Sequence, residues 1–310
     1  MATNLKVTEL DFDQIKTNLK NFLKTQSEFN DYDFDGSGMS VLLDVLAYNT
    51  HYNAMNAHFS LNEAFLDSAQ IRGNVVTRAK LLGYIPRSIL SARASVTLVV
   101  NVAGESGTIP TTLTLSRGTK LNTLVDGEEF QFVVLDNHTA TISNNTFTFS
   151  DIAIAEGTFK TLKYRVDNDI ENQKFQISDK DGDTSTLRVR VQDNEESTAF
   201  DIYTQFESLK NVNSETKVYY LQENSNEFFE IYFGDGVTGF KPINNNIVTL
   251  DYIFTNGKDA NNASTFTMVD NIGGFTNVAV TTVTAAAGGV DPETTESIRF
   301  NAPLTFTSQN

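Results

Sequence analysis

The sequence contains no cysteine and only three histidines, and it has no long apolar run. The lack of cysteine excludes disulfides, thiolate metal sites and a cysteine nucleophile, and it favours a chain assembled in a reducing cytoplasm. The longest apolar run, Val96 to Ala103, includes Thr97 and Asn101 and is far shorter than a membrane span. The N-terminus, MATNLKVTELDFDQIK, lacks the apolar segment of a signal peptide. We therefore expect neither export nor membrane insertion.

Positive charge is scarce and unevenly distributed. The 23 basic and 39 acidic side chains give a formal charge of −16. Residues 1 to 93 hold 9 basic and 10 acidic side chains, so nearly all of the negative charge belongs to the remainder. An acidic surface repels phosphate backbones, and nucleic acid is therefore not expected as a partner. The near-neutral first part is freer to pack against other chains.

The chain opens with a helical pattern. Its length of 310 residues and its 40% hydrophobic composition predict a soluble globular protein of roughly two domains. The segment FDQIKTNLKNFLKTQ begins directly after Asp11, which has the side chain of a helix cap. Its apolar residues recur at helical spacing and are Phe12, Ile15, Leu19, Phe22 and Leu23. We predict an amphipathic helix here.

The stretch DYDFDGSGMSVL, residues 31 to 42, resembles the first half of a calcium-binding loop. The residues that fit that half are Asp31, Asp33, Asp35 and Gly36. Position 12 of such a loop needs a bidentate Glu, but here it is Leu42. Asp35 or Ser37 can instead accept hydrogen bonds from the free N–H groups of a following helix. We interpret the stretch as a helix entry and expect no metal site.

A second helix is predicted over MSVLLDVLAYNTHYNAMNAHF, which is apolar around most of its surface and so needs cover on most sides. One strong apolar face is formed by Met39, Leu42, Leu43 and Leu46, and the residues that extend the apolar surface around the helix are Val41, Val45, Tyr48, Tyr52 and Met55. A capping box, Ser60 to Glu63, predicts a third helix that ends at Gly83. An alternative interpretation breaks this segment near Gly73. Both give a helical hairpin packed on the first helix.

From Arg93 the pattern changes to alternation with a period of two, which is typical of strands. Further short candidates are EEFQFVVL, HTATI, NTFTF, TLRVRV, KVYYL, FFEIYFG and IVTLDYIF. Their close spacing predicts a mostly antiparallel β-rich body. The fold class is therefore α+β: an N-terminal helical region, then the β-rich body, then a short helical segment near the C-terminus.

The helical segment near the C-terminus is predicted from AAAGGVDPETTESIRFNAP, with Asp291 as its cap and Pro292 at its first position. We divide the chain into a helical N-terminal region (1–92), a β-rich body with room for two subdomains (93–284) and the start of a further helical region (285–310). Because the last helix has little sequence left to pack on it, we expect a further region that is missing here or supplied by a partner.

Two acidic glycine-containing loops are predicted to be turns without chemistry. FGDGVTG, with Gly234, Asp235, Gly236 and Gly239, lacks the Gly-Lys-Ser/Thr of a phosphate loop and predicts a hairpin turn between strands. DKDGDT, residues 179 to 184, predicts a surface turn. With no cysteine, three histidines and scattered carboxylates, the chain is not expected to be an enzyme, nor to need a cofactor, a metal or a small-molecule substrate.

The ordered set of motifs resembles a known family. FDQIKTNLKNFLKTQSEFNDYDFDGSGMSVLLDVLAYNTHYNAMN and NEAFLDSAQIRGNVVTRAKLLGYIPRS resemble the N-terminal region of the baseplate wedge proteins of T-even-type contractile-tailed phages, cyanophage relatives included. EIYFGDGVTGFKP, VTLDYIFTNGKDANNA and GGVDPETTESIRFNAP resemble the baseplate J-like family that contains them. The resemblance covers essentially the whole chain.

The resemblance implies a structural role in the virion, with assembly in the host cytoplasm. Copies in this family pair and join into the inner ring of the tail baseplate, bind other wedge subunits through helical bundles, hold the hub and trigger sheath contraction. The residues expected at bundle contacts are Phe12, Ile15, Leu19, Phe22, Leu42, Leu46, Tyr48, Tyr52 and Met55. Family members continue well beyond the last motif, so we expect either a truncated or a split version of the family's protein, which does not close the ring alone.

A second hypothesis comes from a different class of protein. The two loops with the pattern Asp-x-Asp-Gly, at residues 31 to 36 and 179 to 184, and the acidic surface are also compatible with a calcium-dependent carbohydrate-binding or glycan-cleaving β protein. Stabilisation by calcium would favour this alternative.

Overall fold

The computed structural model describes residues 11–26, 37–105, 107–207 and 212–308. The chain forms two compact units that divide between Arg78 and Ala79. The order of elements, helices first, then strands, then one last helix, confirms the predicted α+β class. The three-part division at 92/93 and 284/285 stays a prediction. Within the described ranges, no helix is both long and apolar enough to cross a membrane.

The first unit is built on two helices whose starts the sequence predicts correctly. Helix α1 spans Phe12–Leu23, and the carboxylate of Asp11 accepts hydrogen bonds from the N–H groups of Asp13 at 2.8 Å and Gln14 at 3.2 Å. Helix α2 spans Gly38–Asn62, and the hydroxyl of Ser37 accepts from the N–H of Ser40 at 3.1 Å. Each cap satisfies N–H groups that lack a partner within the helix. The residues at 31 to 36 that resemble half of a calcium loop, Asp35 as the alternative cap included, lie outside the described residues.

The predicted capping box at Ser60 is wrong, because α2 continues through it to Asn62. Helix α3 spans Arg72–Leu81, close to the alternative break near Gly73. Glu63 serves this later helix start: its carboxylate accepts from the N–H of Gln70 at 2.8 Å and from the amide of Asn74 at 2.8 Å. A carboxylate at a helix N-terminus is favoured by the helix dipole. The residue type is right for capping, but the helix it caps lies further along the chain.

Among the described residues of the second unit, strands form two large sheets and one pair. The first large sheet has the order β14-β3-β4-β6-β1-β15 and is antiparallel throughout. Its strands are β1 (Arg93–Asn101), β3 (Lys120–Val125), β4 (Glu128–Val134), β6 (Thr146–Glu156), β14 (Thr267–Met268) and β15 (Val278–Ala287). Strands β2 (Thr112–Leu115) and β5 (His138–Thr141) form the separate pair.

The first hydrophobic core lies on the inner face of this sheet and is closed by the β2–β5 pair. Its fully buried side chains include Leu98, Leu115, Phe132 and Phe147, which come from four different strands. Alternate residues of β1 are buried, as period-two alternation predicts. The chain entering β14 also bonds the end of β15, since the N–H of Ala286 donates to Ala263 O at 2.8 Å. The sheet therefore curls around its core.

The second large sheet has the order β7-β13-β9-β10-β11-β12-β8. Its strands are β7 (Thr158–Arg165), β8 (Phe175–Gln176), β9 (Gly182–Gln192), β10 (Asp201–Gln205), β11 (Val218–Glu223), β12 (Phe229–Phe233) and β13 (Ile247–Phe254). The pair β10–β11 is parallel and the other pairs in the described chain are antiparallel. A second core of aromatic and aliphatic side chains, including Tyr252, Phe175 and Ile231, covers this sheet.

One residue joins the two large sheets. Strand β6 of the first sheet ends at Glu156, strand β7 of the second begins at Thr158, and Gly157 between them has φ +119°. A Cβ on Gly157 would lie 2.2 Å from the carbonyl oxygen of Phe254. No side chain fits at that distance, so glycine is required for the chain to pass between the sheets.

The last helix, α4, spans Thr295–Ser308, so the predicted cap at Asp291 and first position at Pro292 are wrong. Asp291 instead forms an exposed ion pair with Lys258, and the first turn of α4 bonds back to Thr294. Glu293, just before the helix, is buried, and it links the start of α4 to the segment that follows α3. Its carboxylate accepts from Tyr84 Oη and the N–H of Arg87, and from Ser297 Oγ and Asn301 Nδ2 on α4.

Substituting Glu293 with alanine is expected to lower the free energy of unfolding by about 2 kcal/mol, because hydrogen bonds to a charged group are lost and four donors remain. Burial alone would raise the pKa of Glu293, but these donors bring it below its ordinary value of 4.5. The stabilisation is therefore present above pH 4.5 and is lost as the pH falls through the lowered pKa of the folded state. Urea unfolding at several pH values measures both effects.

The matched control for this prediction is Glu296→Ala, an exposed carboxylate in the first turn of α4. A surface substitution there is expected to stay within about 0.5 kcal/mol. Equal losses for the two variants, or a loss at Glu293 that did not diminish in acid, would contradict the assigned role of its carboxylate.

Candidate assembly interface

The two helices of the first unit pack with one face of each buried. Ile15 is the buried residue of α1, while Ser40, Leu43 and Ala47 form the buried face of α2. These α2 positions recur at three and four residues, so they lie on one side of the helix. An ion pair between Lys16 Nζ and Asp44 Oδ1, at 2.6 Å, links the helices beside this contact. Most other residues of α2 are exposed.

A stripe of large apolar side chains runs along the uncovered side of α2. Its members are Val41, Val45, Tyr48, Tyr52, Met55 and Phe59, and each is at least half exposed. Their spacing alternates between four and three residues, which is the pattern of a helix that packs against another helix. We call these six residues the α2 stripe. Beside it lie Leu42 and Leu46, which are also exposed, at 51% and 46%.

Exposed apolar side chains occur singly on most proteins, but a continuous stripe of six marks an interaction surface. The rings of Tyr48 and Tyr52 lie 5.6 Å apart at 40°, so the centre of the stripe carries two adjacent aromatic side chains. Amide side chains follow on its flank, where Asn53 Nδ2 donates to Asn49 Oδ1 at 2.7 Å. An aromatic centre with a polar edge is the common composition of a protein–protein interface.

The residues predicted at bundle contacts occupy different environments. Leu42, Leu46, Tyr48, Tyr52, Met55 and Phe22 are exposed, Phe12 and Leu19 are half-buried, and Ile15 is buried between the helices. Val41, Val45 and Phe59 belong to the α2 stripe but are not among the predicted residues. Their regular three-and-four spacing with Tyr48 is the signal that identifies them.

The segment FGDGVTG forms a turn, although not between paired strands. Asp235 Oδ1 accepts from the N–H groups of Val237 at 2.9 Å and Thr238 at 2.8 Å, and these bonds hold the pKa of Asp235 below its usual value. Gly236 and Gly239 have φ +90° and +93°. The turn follows β12, whose neighbours are β11 and β8, while the next strand, β13, lies between β7 and β9. The predicted hairpin is therefore wrong in its strand pairing.

The second acidic loop, DKDGDT, uses its carboxylates within the fold. Asp179 accepts from Lys160 Nζ at 2.7 Å and from Tyr252 Oη. Burial alone would raise the pKa of Asp179, but these two donors bring it below its usual value. Asp183 is completely buried, which corrects the predicted surface position. In the described part of the chain, no three His, Asp or Glu side chains are grouped so as to hold a metal ion.

Comparisons with known proteins match both units. Residues 11–84 match the model of the baseplate wedge protein gp6-like helical domain. Residues 161–266 match that of the third domain of the bacteriophage baseplate wedge protein gp6. The two matched segments, which together make up more than half of the chain, belong to the gp6-like family of baseplate wedge proteins. The first match contains the α2 stripe, and the second contains most of the second large sheet.

A curated relative agrees with the family assignment. The chain is 30% identical over 316 aligned residues to the baseplate wedge protein gp6 of Enterobacteria phage T4, covering 93% of this chain and 46% of that protein. The chain therefore spans less than half the length of this relative. The cryo-EM structure of the anti-feeding prophage (AFP) baseplate, 6-fold symmetrised, aligns over 95% of this chain and 52% of that one, with 10% identity and a TM-score of 0.30.

The family assignment confirms the resemblance to the T-even-type baseplate wedge proteins that the sequence motifs indicate. The relation to cyanophage proteins and the wider baseplate J-like grouping stay predictions.

Proposed function

We propose that this chain is a structural subunit of a phage tail baseplate wedge, located in the virion, and that it binds other baseplate chains through the α2 stripe. The observation that carries the proposal is the exposed stripe inside the segment that matches the gp6-like helical domain. A helix with six large apolar residues on one exposed face gains stability when another helix covers them. An exposed apolar face of this kind is expected in a subunit that is covered by other chains in an assembly.

The finer parts of the proposal follow from the family. We propose that two copies pair within a ring of the baseplate, that the ring holds the hub, and that its change of shape triggers sheath contraction. The role is structural rather than enzymatic, since the matched domains and the relative are all described as baseplate wedge proteins. The acidic surface of residues 94 to 310 supports protein rather than nucleic-acid partners.

The decisive experiment measures mass by light scattering, for this chain alone and mixed with the other baseplate wedge proteins of its phage. A defined complex is expected with the unaltered chain. The double variant Tyr48→Asp, Tyr52→Asp is expected to lose it, because two charges at the centre of an apolar contact must be desolvated without partners. Thermal unfolding should be little changed, since both side chains are already exposed, at 59% and 54%.

The matched control is Val237→Asp, which adds a charge at an apolar residue that is 75% exposed in the turn after β12. This variant is expected to form the complex normally. Loss of the complex in both variants would indicate a general charge effect. A complex that survives in the tyrosine double variant would refute the α2 stripe as the contact, and a chain that binds neither itself nor any wedge protein would refute the assembly role.

A further inference from the structure

A small pocket in the second unit gathers positive charge in a strongly acidic protein. It has a volume of about 190 Å³. It is lined by Arg93, Arg117, Leu135, Asp136, Phe159, Ser185, Thr186, Leu187 and Arg188. Three of these are arginines and one is a carboxylate, whereas the whole chain carries a formal charge of −16. The local charge is therefore opposite in sign to that of the molecule.

Elements of both large sheets bring the three arginines together. Arg93 begins β1 of the first sheet, and Arg117 lies in the turn between β2 and β3. Arg188 lies on β9 of the second sheet, with Arg190 two residues along on the same face. The three arginines are 24 to 95 residues apart in sequence, so no local motif indicates that they form a cluster.

Arg117 is held in place on three sides. Its backbone N–H donates to Asn137 Oδ1 at 2.7 Å, its Nε donates to Leu135 O at 3.2 Å, and its guanidinium lies 3.8 Å from the centre of the Phe159 ring. Within the described residues, neither terminal nitrogen of Arg117 donates to a protein acceptor. Burial and the nearby Arg188 lower the pKa of Arg117. The two terminal nitrogens of this half-buried guanidinium are thus available to donate into the pocket.

The carboxylates near the cluster are already engaged. Asp136 pairs with Arg188, Asp251 pairs with Arg190 at 2.6 Å, and Asp183, behind Ser185, accepts from two serines. Nε of Arg190 is buried and has no acceptor in the described chain. Four arginines against three aspartates leave an excess of positive charge, which an anion would neutralise.

From this arrangement we infer that the pocket bounded by Arg93, Arg117 and Arg188 binds an oxyanion the size of a phosphate or carboxylate group. The planar fork of a guanidinium matches both groups through paired hydrogen bonds. The volume is below the roughly 300 Å³ at which pockets for larger organic ligands begin. The anion can come from free phosphate or from an acidic side chain of a neighbouring chain, since the two share the same chemistry.

Isothermal titration of the full chain with sodium phosphate, in Tris chloride at constant ionic strength, tests the inference. Saturable binding is expected for the unaltered chain. Arg117→Gln is expected to weaken it roughly tenfold or more, because a charge-assisted pair of hydrogen bonds is lost. Arg165→Gln, a matched change at an exposed arginine paired with Glu195 outside the pocket, is expected to bind as the unaltered chain does. Arg188→Gln provides a second pocket variant should Arg117→Gln fold poorly.

Competition by sodium acetate identifies the source of the anion. If acetate weakens phosphate binding in the unaltered chain, the pocket accepts carboxylates, and an acidic side chain of a neighbour is supported. If acetate has no effect while phosphate binds, free phosphate is supported. The absence of saturable binding, or equal binding by the unaltered chain and both pocket variants, would overturn the inference.

Discussion

Replacing Gly157 with alanine is expected to lower the free energy of unfolding by about 4 kcal/mol, which is a large part of the stability of a typical domain. A non-glycine residue at positive φ costs roughly 1–2 kcal/mol. The new Cβ would also lie 2.2 Å from Phe254 O and 2.6 Å from the side chain of Ile253. Both belong to β13, which is bonded on each side by β7 and β9 and cannot move without breaking pairs. The urea concentration at half-unfolding measures the loss.

The matched control for Gly157 is Gly127→Ala in the turn between β3 and β4. Gly127 also has positive φ, +91°, but no atom lies within 4 Å of a Cβ placed there. This variant is expected to lose only about 1 kcal/mol from the backbone term. The difference between the two variants isolates the steric contact, because the gain from a stiffer unfolded chain is the same in both. Equal losses would contradict the assigned crossing geometry.

Removing the carboxylate of Asp183 is also expected to cost about 4 kcal/mol, as measured by urea unfolding of Asp183→Ala. Asp183 is completely buried on β9. One of its oxygens accepts from the N–H and Oγ of Ser91 at 3.0 and 2.6 Å, and the other from the N–H and Oγ of Ser185 at 2.9 and 2.6 Å. Alanine would leave the N–H and Oγ of Ser91 buried without an acceptor and would remove the acceptor of Ser185, and it would release the segment before β1 from the second sheet.

Asp181→Ala is the control for this second variant, because Asp181 lies two residues away with its side chain exposed. Its loss is expected to stay within about 0.5 kcal/mol. Asp183→Asn tests the same point more finely, since its amide nitrogen offers donors where the two serines also donate. This variant is expected to be destabilised nearly as much as alanine. A fully stable Asp183→Asn would contradict the network as described.

Helix starts, strand positions and the family motifs are determined by local sequence. The starts of α1 and α2 are predicted correctly because Asp11 and Ser37 cap N–H groups two or three residues away. The strand candidates from EEFQFVVL to IVTLDYIF are confirmed because enrichment in aromatic and β-branched residues is a property of a few consecutive residues. The family could be recognised for a similar reason, since its motifs are short and their order along the chain is preserved.

The errors arise where a residue of the expected type has a distant partner. Glu63 caps α3 from across a loop, so the capping box at Ser60 predicts the wrong helix start. Asp291 pairs with Lys258 rather than capping α4. The loop containing Asp183 looks like a surface turn, but the carboxylate of Asp183 is buried. It accepts hydrogen bonds from Ser91, which lies 92 residues away in sequence.

At the candidate interface, the composition and spacing of α2 are enough to predict that it is too apolar to stand alone and needs cover on most sides. Which of its faces lacks cover depends on how the first unit folds. Helix α1 packs on α2, Leu43 and Ala47 are buried, and the stripe from Val41 to Phe59 is left exposed. In the same way, the sequence contains the arginines at 93, 117 and 188, but their convergence depends on the pairing of strands far apart in the chain. Strand order is set by contacts among many distant residues, and no local pattern carries that information.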